Sequence, residues 1–565
     1  MTEDNKILPL IEGQKMSPLD ADRFAQYLGD VSLNDHELEE KALKWLAEEY
    51  GLKYQNLEKI EIDSTLLRQF PARILLKENL LPLAEANGKV IIATSQLFRR
   101  EGLQQLTALT GQQFKLVLAT EIQLEKEIKR ILGVGADTLD ELRSDHLQIV
   151  DEEPEEGDLD QAAEDASIIR FVNQILSDAI GRRATDIHFE PYEDEFRIRY
   201  RVDGVLQNVP VPEDLKHYQA AIVSRVKILS HLDIAEKRLP QDGRIKLKLD
   251  GATVDVRVSV IPMLLGEALV LRLLRQSSSS LKLEHISMAP KEESRMRELL
   301  ELPHGIILVT GPTGSGKTTT LYAALSEIND HRRKIITIED PVEYHIKGIN
   351  QIQVSEKTGL TFAKGLRSIL RHDPDVVLIG EIRDAETAKI AVQASLTGHL
   401  VFSTLHTNDA PGAINRLVDM GVPEYLVASS LEAVLAQRLV RVLCENCKEV
   451  DHSKSTAQLK KLLKLSDEQM LYRASTEGCE TCFQTGYHGR QAVFELLNVD
   501  EDFRQLILGN KSASELKQLS LEKGLISLAE DGRRLLRTGQ TSLDELLRVT
   551  RDEGLSESLR DVNVK

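Results

Sequence analysis

The feature that most constrains the fold is a glycine-rich segment at residues 305–325, GIILVTGPTGSGKTTTLYAAL. A continuous apolar run precedes the glycines, and a helix-forming run follows them. Gly311, Gly316, Lys317 and Thr318 match the spacing G-x-x-x-x-G-K-T, in which backbone N–H groups turn inward around phosphate oxygens. Because strand, loop and helix occur in the order that a phosphate-binding loop needs, we predict a nucleotide site here.

Each residue type in this loop suits one part of a bound nucleotide. Lys317 can place its ammonium group on the β- and γ-phosphates, and the Thr318 hydroxyl can ligate Mg²⁺. The N-terminus of the following helix adds partial positive charge. We therefore predict ATP and Mg²⁺ as ligands, with these contact residues: Gly311, Pro312, Thr313, Gly314, Ser315, Gly316, Lys317, Thr318 and Thr319.

Three further apolar runs, KIITIED, DVVLIGE and HLVFSTLH, alternate with helical stretches. Such runs are typical of strands buried on both faces, as in a parallel sheet covered by helices. The predicted fold class is therefore α/β. Because the carboxyl ends of parallel strands meet at one edge, we expect the polar residues that follow these strands to lie near the loop.

Carboxylates and imidazoles follow these strands. Glu381, just beyond DVVLIG, is the predicted acid near Mg²⁺ or its water shell. Glu339, Asp340 and Glu343 supply carboxylates at a neighbouring strand end, where one can orient or deprotonate an attacking water. His399 and His406 are predicted to lie around one end of a third strand, and His406 to contact or sense the γ-phosphate.

All four cysteines of the chain fall into two C-x-x-C pairs. Cys444 and Cys447 form CENC, Cys479 and Cys482 form CETC, and 31 residues separate the pairs. Two such pairs fit tetrahedral thiolate coordination of Zn²⁺, and four thiolates leave no open position, so the predicted zinc is structural. Reduced cysteines without metal, a redox pair and an iron–sulfur cluster are the alternatives.

The rest of the chain divides by composition and periodicity. DEEPEEGDLDQAAED at 151–165 has nine acids and no base, and its mutual repulsion predicts a solvated linker. After it, polar and apolar residues alternate as in a half-buried sheet. The predicted divisions are a tail at 1–16, a small α/β docking or regulatory domain at 17–138, the acidic linker at 139–166, a second domain at 167–280, and a third domain at 281–565 with the cysteine insert at 444–482.

Charge and composition exclude several classes of protein. The chain has 71 Lys and Arg against 90 Asp and Glu, a net charge of −19, and only 4% aromatic residues. Non-specific nucleic-acid binding needs clustered positive charge or stacking rings, so no nucleic-acid partner is expected. No apolar run approaches the length of a bilayer span, and the first residues lack the pattern of a signal peptide.

The second domain is rich in arginine, and RIRYR places alternate arginines on one face of a strand. Some of these guanidinium groups are candidates to reach a nucleotide in this subunit or the next. Arg257 and Arg272 are singled out as nucleotide-contacting residues. For most of the others the alternative, a solvated strand arginine, is preferred.

Taken in order, these motifs resemble the traffic ATPases of type II secretion and type IV pilus systems. GPTGSGKTTT is similar to the family's Walker A motif, IITIEDPVEY to its aspartate box, DPDVVLIGEIRD to its Walker B motif and GHLVFSTLHTNDA to its histidine box. ATDIHFEP, VDGVL, RLPQDGRI and GYHGRQAVFELL also match. The resemblance extends over about residues 20–550.

The resemblance implies an architecture and a set of roles. It implies a homohexameric ring built from an N-terminal domain, a PAS-like α+β second domain and a RecA-like ATPase domain. Glu343 then matches the catalytic glutamate of the aspartate box, Glu381 the Walker B glutamate and His406 the histidine-box residue. The four cysteines match a zinc-binding insert.

The resemblance also implies partners and a place in the cell. The N-terminal domain would dock on the cytoplasmic domain of an inner-membrane secretion partner, and the ring would act on an inner-membrane platform protein. The chain is thus expected in the cytoplasm, recruited peripherally to the inner membrane. We expect a type II secretion motor that drives pseudopilus assembly, ahead of a pilus-extension ATPase; retraction motors look shorter and lack the tetracysteine insert.

Readings outside this family stay open at this point. They are a nucleic-acid translocase, a small-molecule kinase and a nucleotide-gated scaffold. The acidic charge opposes the first, no acceptor pocket or lid is identified for the second, and the intact carboxylates after two strands disfavour the third.

Overall fold

A computed structural model describes residues 10, 15–28, 35–57, 60, 62, 64–67, 69–86, 88–132, 157–249, 252–275, 282–452, 460, 465, 470–509 and 512–550. The chain forms two compact units, unit 1 at 1–275 and unit 2 at 276–565. Among the described helices, none combines the length and the apolar character that crossing a bilayer requires.

Unit 1 begins with the small α/β domain that the sequence predicts. Its strands are β1 (Leu80–Ala86), β2 (Lys89–Thr94) and β3 (Gln113–Leu118). Its helices are α1 (Pro18–Leu28), α2 (Asp35–Glu49), α3 (Ser64–Leu67), α4 (Ala72–Lys77), α5 (Glu101–Thr110) and α6 (Glu121–Leu132). β1 runs antiparallel to β2, and β2 runs parallel to β3. The runs KVIIATS and FKLVLAT thus supply two of the three strands.

The second domain of unit 1 is an antiparallel sheet with helices. The helices are α7 (Gly157–Gly181) and α8 (Gln219–Leu229). The strands are β4 (Asp186–Pro191), β5 (Phe196–Val202), β6 (Val205–Asn208), β7 (Gln241–Leu249), β8 (Ala252–Met263) and β9 (Gly266–Arg275), in the order β6–β5–β4–β9–β8–β7. Along β5, buried and half-buried residues alternate, because every second side chain faces the core.

One predicted boundary differs from the structure. The predicted linker ends at residue 166, but α7 already begins at Gly157. The sequence QAAEDA in this stretch has strong helix formers, and once the apolar residues that follow are packed as a helix, extending it costs little. The earlier part of the predicted linker, 139–156, lies outside the described residues.

Unit 2 is built on a seven-stranded sheet. Six of its strands are β10 (Gly305–Thr310), β11 (Ile335–Glu339), β12 (Asn350–Gln353), β13 (Val376–Ile379), β14 (Leu400–Leu405) and β15 (Leu431–Leu443). The short pair β16 (Glu449–Val450) and β17 (Tyr472–Arg473) precedes the seventh strand, β18 (Tyr487–Asn498). The order is β12–β11–β13–β14–β10–β15–β18, parallel except for β18. This is the parallel α/β sheet that the apolar runs predict.

Helices cover this sheet and follow its last strand. Those that alternate with the strands are α9 (Pro290–Leu300), α10 (Lys317–Glu327), α11 (Phe362–Ile369), α12 (Ala385–Leu396), α13 (Ala410–Asp419) and α14 (Glu424–Ser430). The last four are α15 (Glu501–Leu508), α16 (Ala513–Glu522), α17 (Leu528–Arg537) and α18 (Leu543–Thr550). Residues of β10, β11, β13 and β14 are buried throughout.

The packing of α11 on β11 leaves no room for a side chain at one helical glycine. A Cβ built on Gly365 would lie 2.0 Å from Cδ1 of Ile338, which is fully buried. Gly181, at the end of α7, has no atom within 4 Å of the same position. The two glycines therefore offer a matched pair for testing this contact.

We expect Gly365→Ala to destabilise unit 2 by about 1–3 kcal/mol, because overpacking a closed core forces shifts of backbone or rotamer. Gly181→Ala, the control, should be neutral or slightly stabilising, since alanine loses less backbone entropy in a helix. Differential scanning calorimetry of each variant measures the effect. Equal melting profiles for the two variants would contradict the packing described here.

Candidate active site and metal centre

Four polar segments follow four neighbouring parallel strands of unit 2. The glycine-rich loop follows β10, Asp340 follows β11, Glu381 lies two residues beyond β13, and His406 follows β14. These strands are adjacent in the order β11–β13–β14–β10. Their carboxyl ends share one edge of the sheet, so the fold gathers the segments in the crevice where open α/β sheets bind ligands.

At three positions of the loop 311–316, the backbone has a conformation that favours glycine. Gly311, Gly314 and Gly316 have φ angles of 151°, 79° and 88°, which lie in the positive-φ region that glycine adopts without strain. A Cβ on Gly311 would also lie 2.5 Å from the carbonyl oxygen of Gln437. Ser315 is buried, and its hydroxyl has no hydrogen-bond partner in the described residues.

Lys317 is the first residue of α10 and points back over the loop. Its Nζ donates to the carbonyl oxygens of Gly311 at 2.8 Å and Pro312 at 3.1 Å. Burial and, more weakly, the positive charge of Arg438 lower the pKa of Lys317, although the carboxylate of Glu381 opposes them. An anion at this position restores the balance that favours the charged ammonium.

The remaining predicted contact residues surround the start of α10. Thr318 and Thr319 lie in its first turn, where free N–H groups face an incoming anion. Pro312 and Thr313 are exposed on the loop. The predicted residues 311–319 thus form the loop after β10 and the first turn of α10, and their assignment to nucleotide stays a prediction.

Glu381 and His406 come from different strands and meet at this edge. His406 Nε2 lies 3.3 Å from Oε2 of Glu381, and Arg383 also pairs with this carboxylate. Burial acts to raise the pKa of Glu381, but the hydrogen bonds and charges of Arg383 and His406 outweigh it, so this pKa lies below the ordinary value. The carboxylate is therefore ionised at neutral pH.

The two histidines that flank β14 lie at opposite ends of it. His406 follows the strand, but His399 precedes it, and its Nδ1 lies 2.8 Å from the carbonyl oxygen of Ala394. The expectation that both flank one strand end is therefore wrong for His399. A parallel strand of six residues separates its two ends by about 20 Å, which removes His399 from the loop.

The two glutamates of IITIEDPVEY are also separated. Glu339 ends β11 and is 4% exposed, with its carboxylate hydrogen-bonded to Tyr322, Thr337 and Gln351. Glu343 lies four residues later in the loop, half-buried, with its backbone N–H donating to the Tyr322 hydroxyl at 3.4 Å. Glu339 is thus committed to the protein interior, and Glu343 is the better candidate for contact with a water.

Sequence reasoning missed Arg438. This residue lies on β15, beside the loop, and its Nη2 donates to the carbonyl oxygen and side-chain Oδ1 of Asn408 at 3.1 and 3.2 Å. A Cβ on Gly311 would lie 3.2 Å from its Nη1. The run QRLVR gave no motif to single it out. Only the pairing of β15 with β10 shows that this guanidinium faces the phosphate loop.

The four cysteines form one cluster. Their sulfur atoms all lie within 4.8 Å of one another, with separations of 3.6 Å for Cys444–Cys479 and 3.7 Å for Cys447–Cys482 and Cys479–Cys482. Thiolates around tetrahedral zinc, with Zn–S bonds of about 2.3 Å, are separated by about 3.8 Å. The donor set therefore fits structural Zn²⁺.

The strand pairing explains why a gap of 31 residues is compatible with one metal centre. β15 ends at Leu443, immediately before Cys444, and β18 begins at Tyr487, shortly after Cys482. Leu443 and Tyr487 face each other in the antiparallel register. The intervening segment is an excursion between two paired strands, so its length does not affect where the cysteines meet. Backbone N–H groups of Cys479 and Gly486 also donate to the Cys482 sulfur.

Arg257 and Arg272 lie in unit 1, on β8 and β9. They face each other across the two strands, an arrangement of like charges that is unfavourable without a neighbouring anion. Nε of Arg272 donates to Asp186 at 2.9 Å. Asp186 thereby satisfies part of the charge, and the predicted contact of either arginine with nucleotide stays a prediction.

Comparison with known proteins identifies the family. The model of the family described as "Type II/IV secretion system protein" matches residues 161–548, and an "MshEN domain" model matches residues 50–137. The chain is 51% identical over 409 residues to the Pseudomonas aeruginosa "Type II secretion system protein E", covering 72% of this chain and 80% of that relative. It is 41% identical over 527 residues to the Myxococcus xanthus "Type IV pilus assembly ATPase PilB", covering 90% and 91%.

A solved structure supports the fold. The X-ray structure of the Legionella pneumophila ATPase DotB aligns with a TM-score of 0.50 at 22% identity, over 67% of this chain and 95% of that one. At this identity the likeness concerns the fold alone. Together with the family match over more than half of the chain, it confirms the resemblance that the order of the motifs indicates. The chain belongs to the type II/IV secretion system protein family and is an ATP-hydrolysing P-loop enzyme.

Proposed function

We propose that this ATPase powers a type II secretion system, where hydrolysis drives pseudopilus assembly and export of proteins across the outer membrane. The observation that carries the proposal is the single sheet edge that holds the phosphate loop, the Glu381–His406 pair and the loop of Glu343. The 51% identity to a type II secretion protein E supports secretion as the process served.

The proposed mechanism assigns one task to each residue. Lys317 and the N–H groups of residues 311–316 bind the β- and γ-phosphates, and Thr318 holds Mg²⁺. When bound there, Mg²⁺ would supply positive charge to the phosphoryl group that is transferred. Glu343 accepts the proton of the attacking water, Glu381 orients the water shell, and the imidazole of His406 contacts the γ-phosphate.

Assembly and docking complete the proposal. A homohexamer brings Arg257 and Arg272 of one subunit to the nucleotide of another, where their charges are compensated. Residues 17–138 dock on the cytoplasmic domain of an inner-membrane secretion partner, and the ring acts on an inner-membrane platform protein. The enzyme thus works in the cytoplasm, recruited peripherally to the inner membrane, and has no nucleic-acid partner.

A second candidate function is extension of a type IV pilus. It is favoured by the match to the Myxococcus xanthus pilus assembly ATPase, which extends over 90% of this chain, against 72% for the secretion relative. Both candidates use the same chemistry at the sheet edge. They differ in the fibre that is built. An experiment in cells can therefore distinguish the two functions, whereas an assay of the purified enzyme cannot.

Lys317→Ala tests the site and the process together. It should lower ATP hydrolysis by about 100-fold or more, because the loop loses the point charge on the transferring phosphate. In the native host the variant should abolish protein secretion while leaving surface pili intact. Lys389→Ala, which removes an exposed lysine of α12, is the charge-matched control. Loss of pili with normal secretion would instead establish the pilus function.

Glu343→Gln and Glu381→Gln should have different signatures. In Glu343→Gln, the amide that replaces the carboxylate can hold a water molecule but cannot accept its proton. The value of kcat should therefore fall by about 10²–10⁴, while nucleotide affinity is kept. Glu381→Gln should raise the Mg²⁺ concentration needed for half-maximal activity, because the carboxylate nearest His406 loses its charge. Turnover as a function of Mg²⁺, with fluorescent-nucleotide binding, measures both. A fully active Glu343→Gln enzyme would show that another group is the base.

The cysteine cluster should hold one zinc ion per chain. Native mass spectrometry measures the metal directly, and Cys479→Ser should reduce the zinc content. Chelation should increase hydrogen exchange in residues 440–490 and leave the exchange of residues 305–325 unchanged, because a closed thiolate site stabilises its own subdomain. Metal-free protein with unchanged exchange in 440–490 would rule out a structural zinc.

A further inference from the structure

A buried polar network lies directly behind the loop that carries Glu343. Its central group is the carboxylate of Glu339, at the end of β11. This carboxylate accepts hydrogen bonds from the Tyr322 hydroxyl, from Thr337 Oγ1 at 2.5 Å and from Gln351 Nε2 at 3.3 Å. The side chains of Glu339 and Tyr322 are 4% and 1% exposed. Three donors compensate a carboxylate that would otherwise be costly to bury.

Two members of this network also hold the loop itself. The Tyr322 hydroxyl accepts from the backbone N–H of Glu343 at 3.4 Å. The Gln351 side chain accepts from the N–H of Ile346 at 2.8 Å and donates to the carbonyl oxygen of Tyr344 at 3.2 Å. The main chain at Glu343 and at two positions shortly after it, Tyr344 and Ile346, is therefore attached to side chains from outside the loop.

Tyr322 connects this loop to the phosphate loop. It lies in α10, five residues after Lys317, and α10 begins where the phosphate loop ends. Burial and the negative charge of Glu339 raise the pKa of the Tyr322 phenol, so the hydroxyl keeps its proton and acts as a donor. One side chain thus fixes the distance between the segment that holds phosphate and the segment that carries the proposed base.

We propose that Tyr322, held by Glu339, is a positioning residue for ATP hydrolysis, which sets the backbone of Glu343 relative to the phosphate loop. This inference rests on the proposed role of Glu343 as the base. In this role Tyr322 contacts neither the substrate nor the metal ion. Its effect is on the geometry of the attacking water, for which small displacements carry large rate penalties.

The chain offers a matched control. The ring of Tyr344 packs edge-on against that of Tyr322, with ring centroids 4.7 Å apart. Its hydroxyl is buried and has no hydrogen-bond partner among the described residues. Tyr322→Phe and Tyr344→Phe each remove one buried hydroxyl from the same ring pair, but only the first removes a hydrogen bond to the loop.

The test measures kcat, KM and the binding of a fluorescent ATP analogue in the full-length enzyme. Tyr322→Phe should lower kcat by about tenfold to a hundredfold, with KM and analogue affinity within about threefold of the parent values. Tyr344→Phe should leave kcat within twofold. Gln351→Met, which removes the second attachment, should lower kcat in the same direction and guards against a folding defect specific to Tyr322→Phe.

A double-mutant cycle with Glu343→Gln shows whether Tyr322 acts through Glu343. In the Glu343→Gln enzyme, adding Tyr322→Phe should change the residual rate by less than twofold, because there is no base left to position. Fully additive losses would overturn the proposal, since Tyr322 would then act independently of Glu343. Unchanged kcat in Tyr322→Phe, while Glu343→Gln is inactive, would overturn only the positioning role. An active Glu343→Gln enzyme would overturn both this role and the assignment of the base.

Discussion

The pairing of β15 with β10 is the interaction on which the site in unit 2 depends. β15 runs parallel to β10 and places Gln437 beneath the phosphate loop. The Gln437 carbonyl lies against Gly311, its amide nitrogen lies against Gly316, and its Oε1 accepts from the Thr320 hydroxyl at 2.8 Å. This buried amide, held by the Thr320 hydroxyl, supports the loop from below. Glycine is required at 311 and 316 because a Cβ at either position would lie within 3 Å of Gln437 on the neighbouring strand.

The same strand leads to the cysteine cluster and holds helix α18. Beyond the loop, β15 continues to Leu443 and the first cysteine pair. The Arg441 guanidinium and backbone N–H donate to Glu545, which is completely buried, and Arg548 pairs with the same carboxylate. Burial acts to raise the pKa of Glu545, but these donors outweigh it and keep the group ionised. One strand thereby connects phosphate loop, cysteine cluster and α18.

The fold and most of the candidate site are predictable because strong local signals coincide with the parallel sheet. Continuous apolar runs and their order identify the strands, and each strand end then identifies Glu381 or His406. Three features of the site could be found only from the structure. The position of Arg438 beside the phosphate loop follows from the pairing of two strands that are over 120 residues apart in sequence. The sequence offers Glu339 and Glu343 as equal candidates, and only the burial of Glu339 separates them. The prediction is wrong for His399 because a motif gives the order of residues but does not show at which residues the strand begins and ends.

The electrostatics of the sheet edge favour a polyanion as ligand. Lys317 and Arg438 approach each other closely enough for the arginine to depress the lysine pKa, and Arg383 lies beside Glu381. Like charges gathered in a partly buried crevice destabilise the free enzyme, and the carboxylates of Glu381 and Asp340 compensate part of them. A bound triphosphate relieves this repulsion. Its binding free energy then stabilises unit 2, so occupancy of the site and rigidity of the surrounding loops rise together.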